Sequence, residues 1–239
     1  MALKEDMRNQ GNWLFKYRSY LPLIIIVVGL FIYLYPIIAL GQKPMQGYLY
    51  SLICFGVGLI GFFIRFHVVG YAAENTSGKN TAEQKADTVN STGIYSIVRH
   101  PLYLGNFLMW LGAALLTANI WFILIFCLLY WIYYERIMYA EEAHLRDKFG
   151  ERYLDWANTV PTFIPNINKY QKPLLPFNWM KAIKSEKNSF AALCLIFCLF
   201  DIIGKLLAKE TNFNYVFIFL AVASLLIYSV LKVQKIRNK

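Results

Sequence analysis

The sequence predicts an all-α, polytopic membrane protein with about six transmembrane helices. Three observations predict it. Of the 239 residues, 58% are hydrophobic and 16% charged, where soluble domains carry about 25% charged residues. The apolar residues come in runs that approach or reach the roughly 20 residues an apolar helix needs to cross hydrocarbon. Lys and Arg alternate strictly between rich and poor connecting segments, the pattern that membrane topology imposes.

Residues 20–40 make the first span, with Leu23–Val28 uninterrupted, and residues 48–69 the second. Residues 103–118 are a shorter third, broken by Gly105 and Gly112, and residues 120–140 a full fourth, rich in aromatics. Residues 190–208 and 213–233 form a closing pair. No cleavable signal is expected, because the leading segment is mixed in charge and no small-residue cleavage site follows the first span.

Lys4, Arg8, Lys16 and Arg18 precede the first span, and Lys43 alone follows it. Arg65, Lys79, Lys85 and Arg99 mark the segment from the end of the second span onward, and no basic residue lies near 117–120. The stretch from Arg136 to Lys187 is rich again, Lys209 stands alone between the last spans, and the C-terminal tail is basic. The positive-inside rule then places both termini and the polar segments 70–100 and 141–189 in the cytoplasm. The net charge of +10 therefore follows topology and does not indicate nucleic acid, although part of it suits anionic lipid head groups. Cys54, Cys127, Cys194 and Cys198 all fall within spans and read as small apolar packing residues, not a metal site.

Residues 1–70 form an N-terminal membrane hairpin, 71–166 a central region with two spans, and 167–239 a basic linker with a C-terminal hairpin. Residues 72–92 are a polar loop of a length that suits a lid or disorder. Gly93–Gly105 is aromatic and basic, and Pro101 makes His100 extended or a helix start and opens the next helix. The fourth span stays helix-compatible to Phe149, Gly150 breaks it, and residues 151–158 fit a short helix. Pro161 and Pro165 impose extended chain, and residues 166–188 read as a proline-punctuated linker.

Two clusters carry chemistry, and both fall on the cytoplasmic side. The first is Gly93-Ile-Tyr95-Ser-Ile-Val-Arg99-His100-Pro101-Leu-Tyr103-Leu-Gly105. The second begins with Glu135-Arg136 and Glu141-Glu142, then Phe149-Gly150-Glu-Arg152-Tyr153 and Val160-Pro161-Thr162-Phe163-Ile164-Pro165. Arg-His-Pro at a helix mouth supplies cationic and backbone donors for an anion, while the acidic pair supplies acceptors for hydroxyls or an ammonium. Such a set suits a ligand bearing a carboxylate and a ribose. Taken singly, Arg99 is a positive-inside anchor, Tyr95 and Tyr103 are interfacial aromatics, and the acidic pair is a solvated helix face. Their joint order and spacing carry the functional reading. Asp201 and Lys205, at i,i+4 spacing in the fifth span, read equally well as a self-neutralising pair or a functional one.

This order resembles the isoprenylcysteine carboxyl methyltransferases and related integral membrane methyltransferases of phospholipids and of lipid A phosphate. The resemblance covers about residues 88–166. It implies an S-adenosylmethionine-dependent methyltransferase with a cofactor pocket at the cytoplasmic face, open toward lipid. It assigns Tyr95, His100, Pro101, Leu102 and Tyr103 to the cofactor, with Glu142 beside them, and Glu141 to the reacting region. The family's substrate-contacting arginine stands four residues before the first glutamate, where this chain has Ile137. Arg136 then takes that role from a shifted register, and Arg99 joins it in holding an anionic head group.

The expected reaction is in-line attack of an anionic oxygen on a sulfonium methyl group, helped by a dry pocket and by positioning. No metal is expected. The expected substrate is a membrane lipid or lipidated molecule, foremost a lipid phosphate such as that of lipid A, in a bacterial inner membrane. Alternatives are a prenylcysteine carboxylate, a phospholipid amine needing a general base, a sterol-type reductase, and a non-enzymatic scaffold.

Overall fold

Each apolar run folds as a helix because a backbone in hydrocarbon must satisfy its own hydrogen bonds. The computed structural model describes residues 2–43, 47–73 and 88–237, and among these the chain forms eight α-helices. They are α1 (Leu3–Tyr17), α2 (Leu21–Leu40), α3 (Tyr48–Tyr71), α4 (Pro101–Leu115), α5 (Ile120–Phe149), α6 (Glu151–Thr159), α7 (Trp179–Leu207) and α8 (Tyr215–Arg237). Five of them, α2, α3, α5, α7 and α8, are long and apolar enough to cross a membrane. The third expected span is the 15-residue α4, about 22 Å long at 1.5 Å per residue.

Small residues let α3 and α4 approach closely, as membrane helices commonly do. A Cβ on Gly61 would lie 2.4 Å from the Gly105 carbonyl oxygen, and one on Gly112 would lie 2.6 Å from that of Cys54. Arg65 of α3 crosses this seam. Its guanidinium donates to both carboxylate oxygens of Glu186 in α7, at 2.8 Å each, and to Asn106 of α4 at 2.6 Å. The α7–α8 hairpin packs on α2 and α3 through Tyr33, Phe55, Phe197, Phe200 and Phe217. Asp201 and Lys205 pair with each other at 2.7 Å, and Asp201 also accepts the Asn214 N–H at 2.8 Å, which closes the hairpin turn.

Two segments differ from expectation. The N-terminal stretch, read as a charged tail, is the helix α1, held along α5. Arg8 pairs with Asp147 at 2.7 Å, Tyr133 donates to the Leu14 carbonyl at 3.1 Å, and Gly11 sits against Arg136 and Ala140. The linker 166–188 is irregular, with a 3-10 turn at Ile167–Lys169, only to Asn178. There the Asn178 side chain accepts the Lys181 N–H, caps α7, and starts that helix eleven residues before the expected span. Within the polar loop, residues 74–87 lie outside the described residues.

Candidate active site

The two clusters seen in the sequence are laced together by their backbones. Gly93, with φ +64°, makes a turn and donates to the Gln171 carbonyl at 3.0 Å. Downstream, Arg99 donates to the Pro161 carbonyl at 2.9 Å, His100 to that of Thr162 at 3.3 Å, and Asn166 to that of Ile97 at 2.9 Å. The prolines at 161 and 165 keep that partner segment extended, so its carbonyls face residues 97–100. Pro101 is fully buried and opens α4. It leaves His100 non-helical, with φ −119° and ψ 61°.

The side chains converge on the acidic pair of α5. Glu142 accepts from Arg99 at 2.8 Å and engages His100 Nε2 at 2.9 Å. His100 Nδ1 lies 3.7 Å from Glu141, beyond hydrogen-bond range. The contact to Glu142 orients the ring and leaves Nδ1 facing Glu141. Arg99 also donates to Thr162, is reached by the Tyr153 hydroxyl, and keeps a buried Nε with no hydrogen-bond partner. The ring of Tyr103 stacks on His100 with centroids 5.7 Å apart, and its hydroxyl faces Glu141. Tyr134 packs on Tyr103 at 4.9 Å and on Tyr130 at 4.1 Å.

The Tyr95 hydroxyl bonds Asn90 and lies in the field of Glu141, and the Tyr95 carbonyl accepts from Trp156 at 3.3 Å. Burial, then the Glu141 charge, holds the Tyr95 phenol well above its usual range. Burial, then Glu142, does the same for Tyr153. Tyr95 also borders a cleft of about 170 Å³ lined by His67, Tyr71, Asn90 and Pro173.

Tyr95, Arg99, His100, Tyr103, Glu141 and Glu142 thus come together, with Pro101 and the half-buried Leu102 on the first turn of α4. Arg136 does not join them. Five residues of helix rotate it about 140° from Glu141, and it pairs instead with its neighbour Glu135 at 3.1 Å. Ile137 is the residue on the Glu141 face, and it is fully buried. Tyr153 and Thr162 stood in the second cluster without an assigned role, and Tyr134 and Arg18 are neighbours that sequence reasoning missed. Arg18 acts electrostatically on Glu141, Tyr103 and Tyr134. No sequence signal marked it, because the approach of α1 to α5 is a tertiary event.

The arrangement offers two carboxylates and a wall of aromatic rings. Rings and carboxylates suit a ligand that carries positive charge. Among the described residues no group of three His, Cys, Asp or Glu side chains could hold a metal.

Residues 46–152 match the family described as phospholipid methyltransferase. A protein-S-isoprenylcysteine O-methyltransferase of Schizosaccharomyces pombe is 32% identical over 119 residues, 49% of this chain and 50% of that protein. Protein-S-isoprenylcysteine O-methyltransferase B of Arabidopsis thaliana is 38% identical over 78 residues, 32% of this chain and 39% of its own length. The cobalt-zinc-cadmium resistance protein CzcN of Cupriavidus metallidurans is 30% identical over 88 residues, 37% of this chain and 40% of its own. The chain spans half or less of the length of these relatives. No solved structure matches it significantly.

Proposed function

We propose that this chain, whose residues 46–152 match the family described as phospholipid methyltransferase, is a membrane O-methyltransferase that uses S-adenosylmethionine on the anionic end of a lipid-like substrate. The observation that carries this reading is the acidic pair of α5. Glu142 organises Arg99 and His100, while Glu141 faces Tyr103 and His100.

The residues present fit the cofactor. S-adenosylmethionine supplies a methyl group on a positively charged sulfur. Tyr95 and Tyr103 offer ring faces and hydroxyls to that charge, and the Glu141 carboxylate balances it. His100, Pro101, Leu102 and Glu142 line the same corner. An anionic acceptor oxygen needs no proton removed, so the chain's task is to align the oxygen with the methyl carbon and to exclude water. Positioning of this kind can supply about 7–11 kcal/mol of the barrier.

For the acceptor, the names of the relatives favour a prenylcysteine-type carboxylate over the lipid A phosphate expected from sequence. We infer a cytoplasmic position for the site and both termini from the alternation of basic segments. A reporter fused at residue 175 that scores as external would overturn this orientation.

The test uses the purified chain, methyl-labelled S-adenosylmethionine, and three acceptors: N-acetyl-S-farnesylcysteine, phosphatidic acid and phosphatidylethanolamine. Label on the farnesylcysteine carboxylate is expected. Label on phosphate or amine instead reassigns the acceptor, and no cofactor binding at all removes the enzymatic reading.

A further inference from the structure

We propose that the open end of the α7–α8 hairpin, opposite its turn, binds the head group of an anionic phospholipid through Lys187 and Lys232, which the ring of Tyr228 gathers. This site is separate from the acidic pair of α5 and does not depend on the methyl-transfer reading.

The geometry starts with Tyr228, half-buried on α8. The Lys187 ammonium, from α7, lies 5.4 Å from its ring centroid. The Lys232 ammonium, one turn further along α8, lies 5.8 Å from the same centroid. Both distances are within the range in which a ring attracts a cation. The ring thus draws together two like charges from two helices, and these repel each other unless an anion joins them. Lys184 is exposed three residues before Lys187, a neighbour on the same helix surface, and adds a third cation at the rim.

The hairpin does not neutralise this charge itself. It carries three carboxylates, Glu186, Asp201 and Glu210. Glu186 is paired with Arg65, Asp201 with Lys205, and Glu210 with Lys43. Among the described residues no carboxylate pairs with Lys184, Lys187 or Lys232. Arg65, Arg99 and Arg136, by contrast, each have one.

The surroundings identify the anion as a lipid. Leu226, Ile227, Val230 and Val233 are exposed on either side of Tyr228 and Lys232, on a helix long and apolar enough to cross a membrane. Acyl chains lying along these aliphatic side chains would bring a phosphate to the level of the two lysines. Single lysines at the end of a span are topology anchors. Here two of them, from different helices, converge on one ring, and basic sites between helix ends hold anionic head groups in this way. A zwitterionic head group is the poorer ligand, because its own ammonium is repelled by the lysines.

The experiment titrates the purified chain in neutral detergent with phosphatidylglycerol and with phosphatidylcholine of the same acyl chains, and counts bound lipid by native mass spectrometry. Wild type should prefer phosphatidylglycerol. Lys187→Ala and Lys232→Ala should each weaken its binding about fivefold, the effect of one basic residue at an anionic head group, and leave phosphatidylcholine unchanged. Tyr228→Leu, which keeps apolar bulk but removes the ring, should weaken it about two- to fivefold. Lys4→Ala combined with Lys16→Ala removes two exposed charges from α1 and should keep the preference. Unchanged phosphatidylglycerol binding in both lysine variants overturns the proposal. So does an equal loss in the α1 variant, which marks diffuse attraction to the whole basic surface, or a loss shared with phosphatidylcholine, which marks a structural role. Full displacement of the lipid by an equal concentration of inorganic phosphate also overturns it, since the anion alone is then the ligand. Methyl transfer, or its absence, changes none of these outcomes.

Discussion

Replacing Glu186 by alanine should destabilise the protein more than any other single change in the C-terminal hairpin. The carboxylate is 3% exposed and holds Arg65 by two 2.8 Å bonds, while Arg65 is 18% exposed and also bonds Asn106. Removing one partner of a buried pair strands the other charge, at a cost of about 3–5 kcal/mol. With roughly 2–4 °C per kcal/mol for a chain of this size, the melting temperature should fall by about 6–20 °C. Glu186→Gln keeps the shape and one acceptor, so its loss should be nearer 1.5–3 kcal/mol, the worth of a charged hydrogen bond. Arg65→Met combined with Glu186→Leu should recover most of the loss, since an apolar replacement of a whole buried pair is often neutral. Thermal unfolding in detergent, followed by tryptophan fluorescence, measures all three. If Glu186→Ala lies within 1 kcal/mol of wild type, the pair is solvated and the reasoning is wrong.

Gly61→Ala should cost about 1–3 kcal/mol, as overpacking does, because the new Cβ meets backbone atoms of α4 at 2.4 and 2.7 Å. The same unfolding assay checks it, with Gly56→Ala, whose Cβ has open space, as the neutral comparison. His100→Ala and Tyr103→Ala should each weaken S-adenosylmethionine binding about tenfold or more while the chain still folds, since each removes a face of the proposed pocket. Calorimetric titration decides this, and wild-type affinity in both removes His100 and Tyr103 from the cofactor site. Arg136→Ala should leave KM for the lipid acceptor unchanged, because Arg136 points away from Glu141 and pairs with Glu135. A raised KM with unaltered cofactor affinity would restore the shifted-register role expected from sequence.

What the sequence made legible follows from the range of the forces involved. Burial in lipid is local and additive along the chain, so the apolar runs mark α2, α3, α5, α7 and α8. Backbone rules are equally local. Pro101 opens α4, and Gly150, with φ +55°, separates α5 from α6. The meeting of the Arg-His-Pro and Val-Pro-Thr segments was legible only as an ordered pair of motifs, and the structure supplies its cause in the bonds from Arg99 and His100 to Pro161 and Thr162. The helix α1 was not legible as an element. Its residues are mixed in charge, and what stabilises it is Gly11, Leu14 and Phe15 against α5.

The Arg65–Glu186 pair also bears on the part of the chain that matches the family. Arg65 and Asn106 lie within residues 46–152, whereas Glu186 lies outside them. Arg65 sits beside Gly105, whose added Cβ would meet the Arg65 Cγ at 2.6 Å, and its charge reaches Tyr95 and Tyr134. A half-buried guanidinium this near the pocket requires a carboxylate, or it would favour anions where the proposed reaction calls for a cationic cofactor. In this chain α7 provides that carboxylate. The C-terminal hairpin therefore does more than add membrane-embedded bulk. It neutralises a charge behind the aromatic wall, which leaves Glu141 and Glu142 to set the sign of the site. Loss of Glu186 should accordingly reduce cofactor affinity as well as stability, with Arg65→Met in the same background restoring both.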